Sequence, residues 1–298
     1  MSTIPKILLP PGIGDVYWSL VKMESFLEQN GLGRPDVYIA SQADIHGSET
    51  RAFPFIEHFS FVNSTGVVVD NSVLGESTFW THAYTQPHTG IFADVIGYDY
   101  FMAYNGPINA GLSLEVADEE YACNWDLRIP DSQRQNDIVH SLTAQYAPYI
   151  VYHFGTRGTY KYWTDEFQVG KIAESIKRAS KRTGTTPILA GGVWDRQDKG
   201  LLKIMRKAKC VDMLGKTSFE GLCGLIRGSE MVVGYPSGLE MLATILGKKT
   251  LTLWSEYYPF GTSQHVVAPN KVGSVYFTEK TKGLTVKKLV NKIGAING

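Results

Sequence analysis

Short apolar runs separated by amphipathic stretches dominate the first part of the chain. The run 6–10 predicts a buried strand, and apolar positions between 16 and 30 recur at the spacing of one helix face. A glycine turn over 11–15 lies between them, and a second strand is predicted at 36–40. This order is typical of a β-turn-α-β unit that starts a parallel sheet. The stretch 41–125 is less regular and predicts no definite element.

The second half alternates more clearly between apolar strands and amphipathic helices. The predicted strands are 149–154, 186–190, 210–214, 231–235 and 249–255. Five helices are predicted. They span about 164–182, the stretch after Gly192 to about 207, a stretch from about 217 onward, 238–247, and about 284–296. Since strand-helix-strand crossovers are right-handed, five strands in this order predict a doubly wound α/β domain.

The chain is therefore expected to be an α/β protein with two Rossmann-like doubly wound domains that face each other across a cleft. The N-terminal domain is placed at 1–130 and the C-terminal domain at 131–280. A helix in the segment 281–298 follows, and packing back on the N-terminal domain is one option for it. Ligands of open parallel sheets bind beyond the carboxyl ends of the strands, so we expect the site there.

Composition narrows the classes of function. The 298 residues are 43% apolar and 19% charged, with 29 basic and 29 acidic side chains. A net charge of zero argues against broad binding to nucleic acid or anionic membrane. No apolar run reaches the ~18 residues that a membrane-spanning helix needs. Three cysteines without a CxxC motif favour neither a disulfide framework nor a zinc knuckle, and a cytoplasmic protein is the simplest interpretation.

The first glycine turn, Gly12-Ile-Gly14-Asp15, allows three interpretations. A dinucleotide fingerprint fails because Tyr17 occupies the position of its third glycine. The turn can instead be structural, with Asp15 capping the helix. In the third interpretation Asp15 is a general base, kept ionised by the positive end of the helix and able to accept a proton from a sugar hydroxyl.

A polar loop after the first strand of the second half carries groups that suit a pyrophosphate. Gly155 permits close approach of the backbone, Thr156 supplies a hydroxyl, and Arg157 and Lys161 supply cations. The alternative is a solvated basic loop. We favour phosphate because the loop follows the carboxyl end of a strand.

Two further strand ends have candidate ligand contacts. Ser237-Gly238-Leu239 opens a helix directly after a strand, where backbone N–H groups and the helix dipole attract an anion, although a plain turn has the same sequence pattern. Gly191-Gly192, with Asp195 nearby, can approach a ribose or simply form a turn.

Several other chemistries are not supported. The segment Gly215-Lys216-Thr217 is similar to the end of a phosphate-binding P-loop. However, Cys210 occupies the position where that motif requires its first glycine. The histidines lack HxxxH or HExxH spacing, which disfavours zinc. Ser237 is not in a GxSxG context, so a hydrolase nucleophile is not indicated.

With these segments placed, the chain resembles the heptosyltransferase-type glycosyltransferases of family 9, the ADP-heptose:lipopolysaccharide group. Residues 12–16 resemble the family's Gly-Asp-Val start, and 153–163 resemble its strand and loop with Thr and Lys before Trp. Residues 215–222 and 232–247 resemble the family's GKTSL-type segment and the glycine-containing helix start that follows it. The motifs occur in the family's order.

The resemblance implies a GT-B fold, with the acceptor mostly on the first domain and the nucleotide-sugar on the second. It also implies inversion at the anomeric carbon without a required metal. By position, Asp15 matches the family's proposed base, Thr156 and Lys161 match donor-phosphate contacts, and Ser237 and Gly238 match the phosphate-binding helix start.

Three positions depart from the family pattern. Pro236 replaces an acidic residue, Met241 replaces a frequent histidine, and Pro10-Pro11 precede the first glycine where basic or hydroxyl residues are common. These differences leave the sugar of the donor open.

We predict a glycosyltransferase that moves a sugar from a nucleoside-diphosphate sugar to a hydroxyl of a glycan or glycolipid. Asp15 would deprotonate the acceptor, while Lys161, Arg157 and the helix start at Ser237 would stabilise the leaving diphosphate. The expected donor-binding residues are Gly155, Thr156, Arg157, Lys161, Gly191, Gly192, Asp195, Met213, Gly215, Ser237, Gly238 and Leu239, with Gly12 and Gly14 at the acceptor.

No cofactor, metal or nucleic acid is expected to take part, and peripheral contact with a membrane stays open. The alternatives are a nucleotide-sugar 2-epimerase-like enzyme, a non-catalytic nucleotide-sugar or glycan-binding homologue, and an NAD-dependent enzyme.

Overall fold

The chain forms two compact units, Met1–Ile129 and Pro130–Gly298. A computed structural model describes residues 4–9, 13–29, 31–40, 53–68, 95–96, 122–124, 127–155, 166–235, 237–254, 276–280 and 285–297. No helix within these ranges is both long enough and apolar enough to cross a membrane.

The first unit contains a four-stranded parallel sheet. Its described elements are β1 (Lys6–Leu9), α1 (Ile13–Gln29), β2 (Asp36–Ala40), α2 (Phe53–Ile56), β3 (Ser64–Val68) and β4 (Val95–Ile96), and the strand order is β3-β2-β1-β4. The predicted β-turn-α-β opening is therefore confirmed. α1 buries Val16, Leu20, Met23 and Leu27, the residues whose spacing predicted it.

The second unit contains a six-stranded parallel sheet in the order β10-β9-β8-β5-β6-β7. Its strands are β5 (Tyr149–His153), β6 (Thr186–Gly191), β7 (Val211–Leu214), β8 (Val232–Gly234), β9 (Thr250–Trp254) and β10 (Tyr276–Lys280). Its helices are α3 (Gln133–Tyr146), α4 (Glu166–Thr183), the 3-10 helix Val193–Gln197, α5 (Lys199–Ala208), α6 (Phe219–Gly228), α7 (Gly238–Ile245) and α8 (Val286–Asn297).

Helices cover both faces of this sheet. All five residues of β5 are buried, as expected of a central strand. Ile150 and Tyr152 belong to a core that includes apolar residues of α4, α5 and α8. The neighbouring residue Tyr149 donates a hydrogen bond of 2.9 Å to the carbonyl of Leu225 in α6. The predicted doubly wound α/β architecture is confirmed.

The C-terminal helix α8 packs within the second unit. Leu289, Ile293 and Ile296 join the core of this unit. In addition, the Lys249 ammonium donates to the carbonyl of Ile296 at 2.9 Å.

Two elements of the second unit were not predicted. α3 places Ile138, Leu142 and Tyr146 on one face, each partly buried, and also buries the polar Gln135. Its start is fixed by the Ser132 hydroxyl, which accepts from Gln135 N–H at 3.1 Å. The edge strand β10 adds a sixth strand beside β9 where no strand was expected.

Candidate functional site

The candidate site lies at the point where the strand order of the second sheet reverses. β5 and β8 are neighbours there, with His153 opposite Gly234, although β6 and β7 lie between them in the sequence. Ligands of doubly wound sheets bind at such a switch point, beyond the carboxyl ends of the strands. His153 ends β5, and the helix α7 starts soon after β8.

The start of α7 is a well-formed helix N-terminus. Ser237 is the N-cap residue, and its hydroxyl accepts a hydrogen bond of 3.1 Å from Leu239 N–H. Gly238 is the first helical residue, as the anion-site prediction requires. Helix starts of this kind bind anions through backbone N–H groups and the helix dipole.

The Ser237 hydroxyl also contacts the side chains of His153 and Glu240. It lies 3.0 Å from Nδ1 of His153. It donates a hydrogen bond to the carboxylate of Glu240 in the first turn of α7. We predicted Ser237 as a donor contact through its place at the helix start, and the structure adds that its hydroxyl serves the protein's own groups.

His153 is buried between two carboxylates that come from different elements. Its Nε2 lies 3.7 Å from Oδ2 of Asp195 in the 3-10 helix, and its Nδ1 lies 3.8 Å from Oε1 of Glu240. The exposed fractions are 6% for His153, 8% for Asp195 and 3% for Glu240. Burial disfavours the charged ring, but the contacts with Asp195 and Glu240 outweigh it and raise the pKa of His153 to about 10.

The carboxylate of Asp195 packs against glycines of this edge. Its Oδ2 accepts a hydrogen bond of 2.7 Å from Gly192 N–H. A Cβ atom at Gly155 or at Gly191 would collide with the same carboxylate. Gly155 and Gly191 therefore make room for the Asp195 carboxylate. Contact of Gly191, Gly192 and Asp195 with a donor stays a prediction.

The ends of β6 and β7 form the adjoining part of the edge. Gly215 has a φ of +60°, and a side chain there would collide with the backbone of Val193. Val193 is 61% exposed, which is unusual for an apolar residue. Arg196 donates to the carbonyl of Leu214 at 2.9 Å and so fixes the 3-10 helix to the end of β7. Met213, at the same strand end, is half-buried.

On the first unit, the described backbone starts α1 at Ile13. Gly14 and Asp15 therefore lie inside the first helical turn, so Asp15 does not precede the helix as a cap. The general-base interpretation likewise assumed a position at the helix N-terminus. The base role itself stays a prediction.

Four predicted site residues lie outside the described residues: Gly12, Thr156, Arg157 and Lys161. Their assignments stay predictions. Over the described ranges, no group of three or more His, Cys, Asp or Glu side chains is arranged to hold a metal ion.

Sequence reasoning missed His153 and Glu240. The sequence contained a weak signal: His153 is a basic residue at the end of a strand whose other residues are apolar or aromatic. Glu240 is likewise an acidic residue in a helix that is otherwise almost entirely apolar.

Comparison with known proteins agrees with this architecture. The family model of glycosyltransferase family 9 (heptosyltransferase) matches residues 110–287. None of the curated proteins matches the sequence.

Solved structures show the same fold over nearly the whole chain. E. coli ADP-heptose lps heptosyltransferase II matches with a TM-score of 0.62 at 12% identity, over 99% of this chain and 98% of that chain. A family 9 glycosyl transferase from Veillonella parvula matches with a TM-score of 0.64 at 10% identity, over 98% and 97%. E. coli heptosyltransferase WaaC with ADP matches with a TM-score of 0.51 at 15% identity, over 97% of each. At these identities the likeness shows the fold.

Proposed function

Since this chain belongs to glycosyltransferase family 9 (heptosyltransferase), we propose that it transfers a sugar from a nucleoside-diphosphate sugar to a hydroxyl acceptor with inversion. The observation that carries the proposal is the start of α7 at the switch point of the second sheet. There a helix N-terminus follows a central strand and can receive a diphosphate on its backbone N–H groups.

In this proposal the leaving diphosphate is stabilised by protein donors. Backbone N–H groups at Gly238 would act together with Lys161 and Arg157, and Thr156 would add a hydroxyl. Stabilising the charge that develops on the leaving group is the main way in which such a site accelerates transfer. The proposal needs no metal ion or cofactor for this task.

The nucleoside would bind along the neighbouring strand ends, at Gly191-Gly192 and Met213–Gly215. The exposed side chain of Val193 adds an apolar surface to this edge, which suits the face of a nucleobase. Asp195 has a supporting part in this arrangement, since its carboxylate is bonded to Gly192 N–H.

Asp15 would accept the proton of the acceptor hydroxyl, with Gly12 and Gly14 close to the acceptor. The resulting oxygen attacks the anomeric carbon from the face opposite the diphosphate. The bond to the diphosphate breaks, and its electron pair leaves with the diphosphate oxygen. A single displacement of this kind inverts the anomeric configuration.

The named relatives suggest which substrates to test first. We propose ADP-heptose as the first donor candidate and a lipopolysaccharide-like glycolipid as the first acceptor candidate. Pro236 and Met241 differ from the family pattern near the helix start, so other donors belong in the same test. A cytoplasmic location is part of this proposal.

The test is a thermal-shift screen of ADP-, UDP-, GDP- and CMP-linked sugars, followed by transfer assays with the donor that binds. A ligand at 100 times its Kd adds about 2.7 kcal/mol to the free energy of unfolding. We expect acceptor-dependent release of the nucleoside diphosphate and an inverted product by NMR. Conversion of the donor without acceptor would instead identify an epimerase. Binding without any turnover would identify a non-catalytic binding protein.

A further inference from the structure

We propose that His153 is a positioning residue of this site: a buried imidazolium that joins the ends of β5, the 3-10 helix and α7. Because the ring hydrogen-bonds the Ser237 hydroxyl, that hydroxyl is not available to a phosphate. The groups at the helix start that can donate hydrogen bonds to a phosphate are then the backbone N–H groups. The statement about phosphate rests on the proposed function, whereas the state of the ring does not.

Both ring nitrogens of His153 face hydrogen-bond acceptors. Nε2 faces the carboxylate of Asp195 at 3.7 Å, and Nδ1 lies 3.0 Å from the Ser237 hydroxyl oxygen and 3.8 Å from Glu240 Oε1. A neutral imidazole carries one N–H and would direct a lone pair at one of these oxygens. The imidazolium has an N–H on each side, so the surroundings select the charged ring. Among the described residues, Asp195 and Glu240 are the charged groups that face it.

The hydroxyl of Ser237 has no remaining capacity for a ligand. A hydroxyl has one donor and two acceptor sites. Its proton goes to Glu240, one lone pair accepts from Leu239 N–H, and the other accepts from Nδ1–H of His153. A phosphate at this helix start would therefore be bound by main-chain donors.

The charge of the ring also matters for an anionic donor. Asp195 and Glu240 place two buried carboxylates close to the edge where the diphosphate is proposed to bind. Buried charges interact strongly because they are poorly screened. The imidazolium offsets one of these charges, and its loss would leave uncompensated carboxylates that repel the diphosphate.

The state of the ring is tested without ligand. Protein with ¹⁵N-labelled histidine is compared by NMR with His153→Gln, which assigns the His153 signals. Exposed His140 provides the control variant His140→Gln. We expect the His153 ring to show imidazolium shifts at pH 7.5, and Glu240→Gln to lower the pH at which the ring loses its proton. If His153→Gln did not fold, the ring signals that shift in Glu240→Gln would identify His153, and a neutral ring at pH 7.5 in the parent would overturn the proposal.

The positioning role is tested by hydrogen exchange and by binding. His153→Gln should speed amide exchange over 237–241, while His140→Gln should leave it unchanged. For whichever of ADP, UDP and GDP the parent binds, His153→Gln should weaken affinity by about tenfold or more, the scale of a lost charge-assisted contact. Glu240→Gln in that background should restore part of the affinity, since it removes a carboxylate that has lost its counter-ion.

The two proposals fail in different ways. A parent that binds none of the three diphosphates contradicts the proposed function, while the ring state and the exchange data still decide the role of His153. A parent that binds one of them, together with a folded His153→Gln of equal affinity and equal exchange over 237–241, overturns the positioning role alone.

Discussion

At the scale of single residues, the edge of the second sheet is organised by charges inside the protein. His153 contacts Asp195 and Glu240 although the three residues come from a strand, a 3-10 helix and an α-helix. Glycines make this packing feasible. A Cβ at Gly155 would strike Asp195, and one at Gly234 would strike Glu240 and the carbonyl oxygen of His153.

The charged ring predicts a particular dependence of stability on pH. The pKa of His153 rises from 6.5 in the unfolded chain to about 10 in the folded protein. The folded state therefore binds more protons between these values, so the stabilisation by His153 is complete below pH 6.5 and is lost as the pH rises through 10. Urea denaturation should give the parent a higher free energy of unfolding than His153→Gln at pH 6.5, and this difference should shrink as the pH rises towards 10. Parallel curves for the two proteins would contradict the assignment.

Sequence alone located this edge but not its internal charges. Gly155, Gly191 and the helix start at Gly238 could be predicted as edge residues, because each follows the end of an apolar run. The partnership of His153 with Asp195 and Glu240 could not, because it depends on a strand order that brings β5 next to β8. Gly155 and Gly191 were accordingly predicted as ligand contacts without the knowledge that Asp195 lies beside them, and those ligand contacts stay predictions.

At the scale of elements, helix ends are fixed by side-chain caps and by one strained residue. Asp198 caps α5 by accepting from Leu201 N–H at 3.0 Å, and Ser218 caps α6 by accepting from Gly221 N–H at 3.1 Å. At its other end, α5 closes on Lys209, which has left-handed backbone angles of φ 56° and ψ 42°.

The backbone of Lys209 predicts a stabilising substitution. Left-handed conformation costs a residue with a Cβ roughly 1–2 kcal/mol, and glycine avoids this cost but loses more backbone entropy on folding. Lys209→Gly should therefore raise the free energy of unfolding by about 0.5–1 kcal/mol. Lys207→Gly makes the same change of charge inside α5 and should instead lower it by roughly 0.5–1 kcal/mol. Urea melts that moved in the same direction would show that Lys209 is not strained.

Element prediction succeeded where the apolar pattern is strong and failed at α3, where it is weak. β5, α4 and β6 follow from their apolar runs to within two residues. α3 does have apolar residues at helical spacing, Ile138, Leu142 and Tyr146, but they are only partly buried and lie among polar residues. This weak signal was missed, and the Ser132 cap and packing against α6 also fix the position of the helix.

At the scale of the whole molecule, the proposal assigns different tasks to the two units. The proposed base, Asp15, belongs to α1 of the first unit, while the proposed donor edge lies on the second. Donor binding and proton removal are therefore separable by mutation.

Asp15→Asn should separate them. The amide keeps the shape of the side chain but cannot accept the acceptor's proton, so transfer should fall roughly 10²–10⁴-fold. Affinity for the donor should stay close to that of the parent, because the donor edge is unchanged. The measurement is kcat with saturating donor and acceptor, beside calorimetric binding of the donor. Near-normal kcat in the Asn variant would refute Asp15 as the base.

The central claim is that the start of α7 binds the diphosphate, and Gly238→Val tests it most directly. The added side chain would block close approach of a phosphate to the backbone N–H groups. Gly170→Val is the control, since its Cβ would enter open space on α4. Both variants should fold, as judged by circular dichroism. Calorimetry with the nucleoside diphosphate that the parent binds should show binding retained by Gly170→Val and largely lost by Gly238→Val. A folded Gly238→Val that binds as tightly as the parent would show that the donor site is elsewhere.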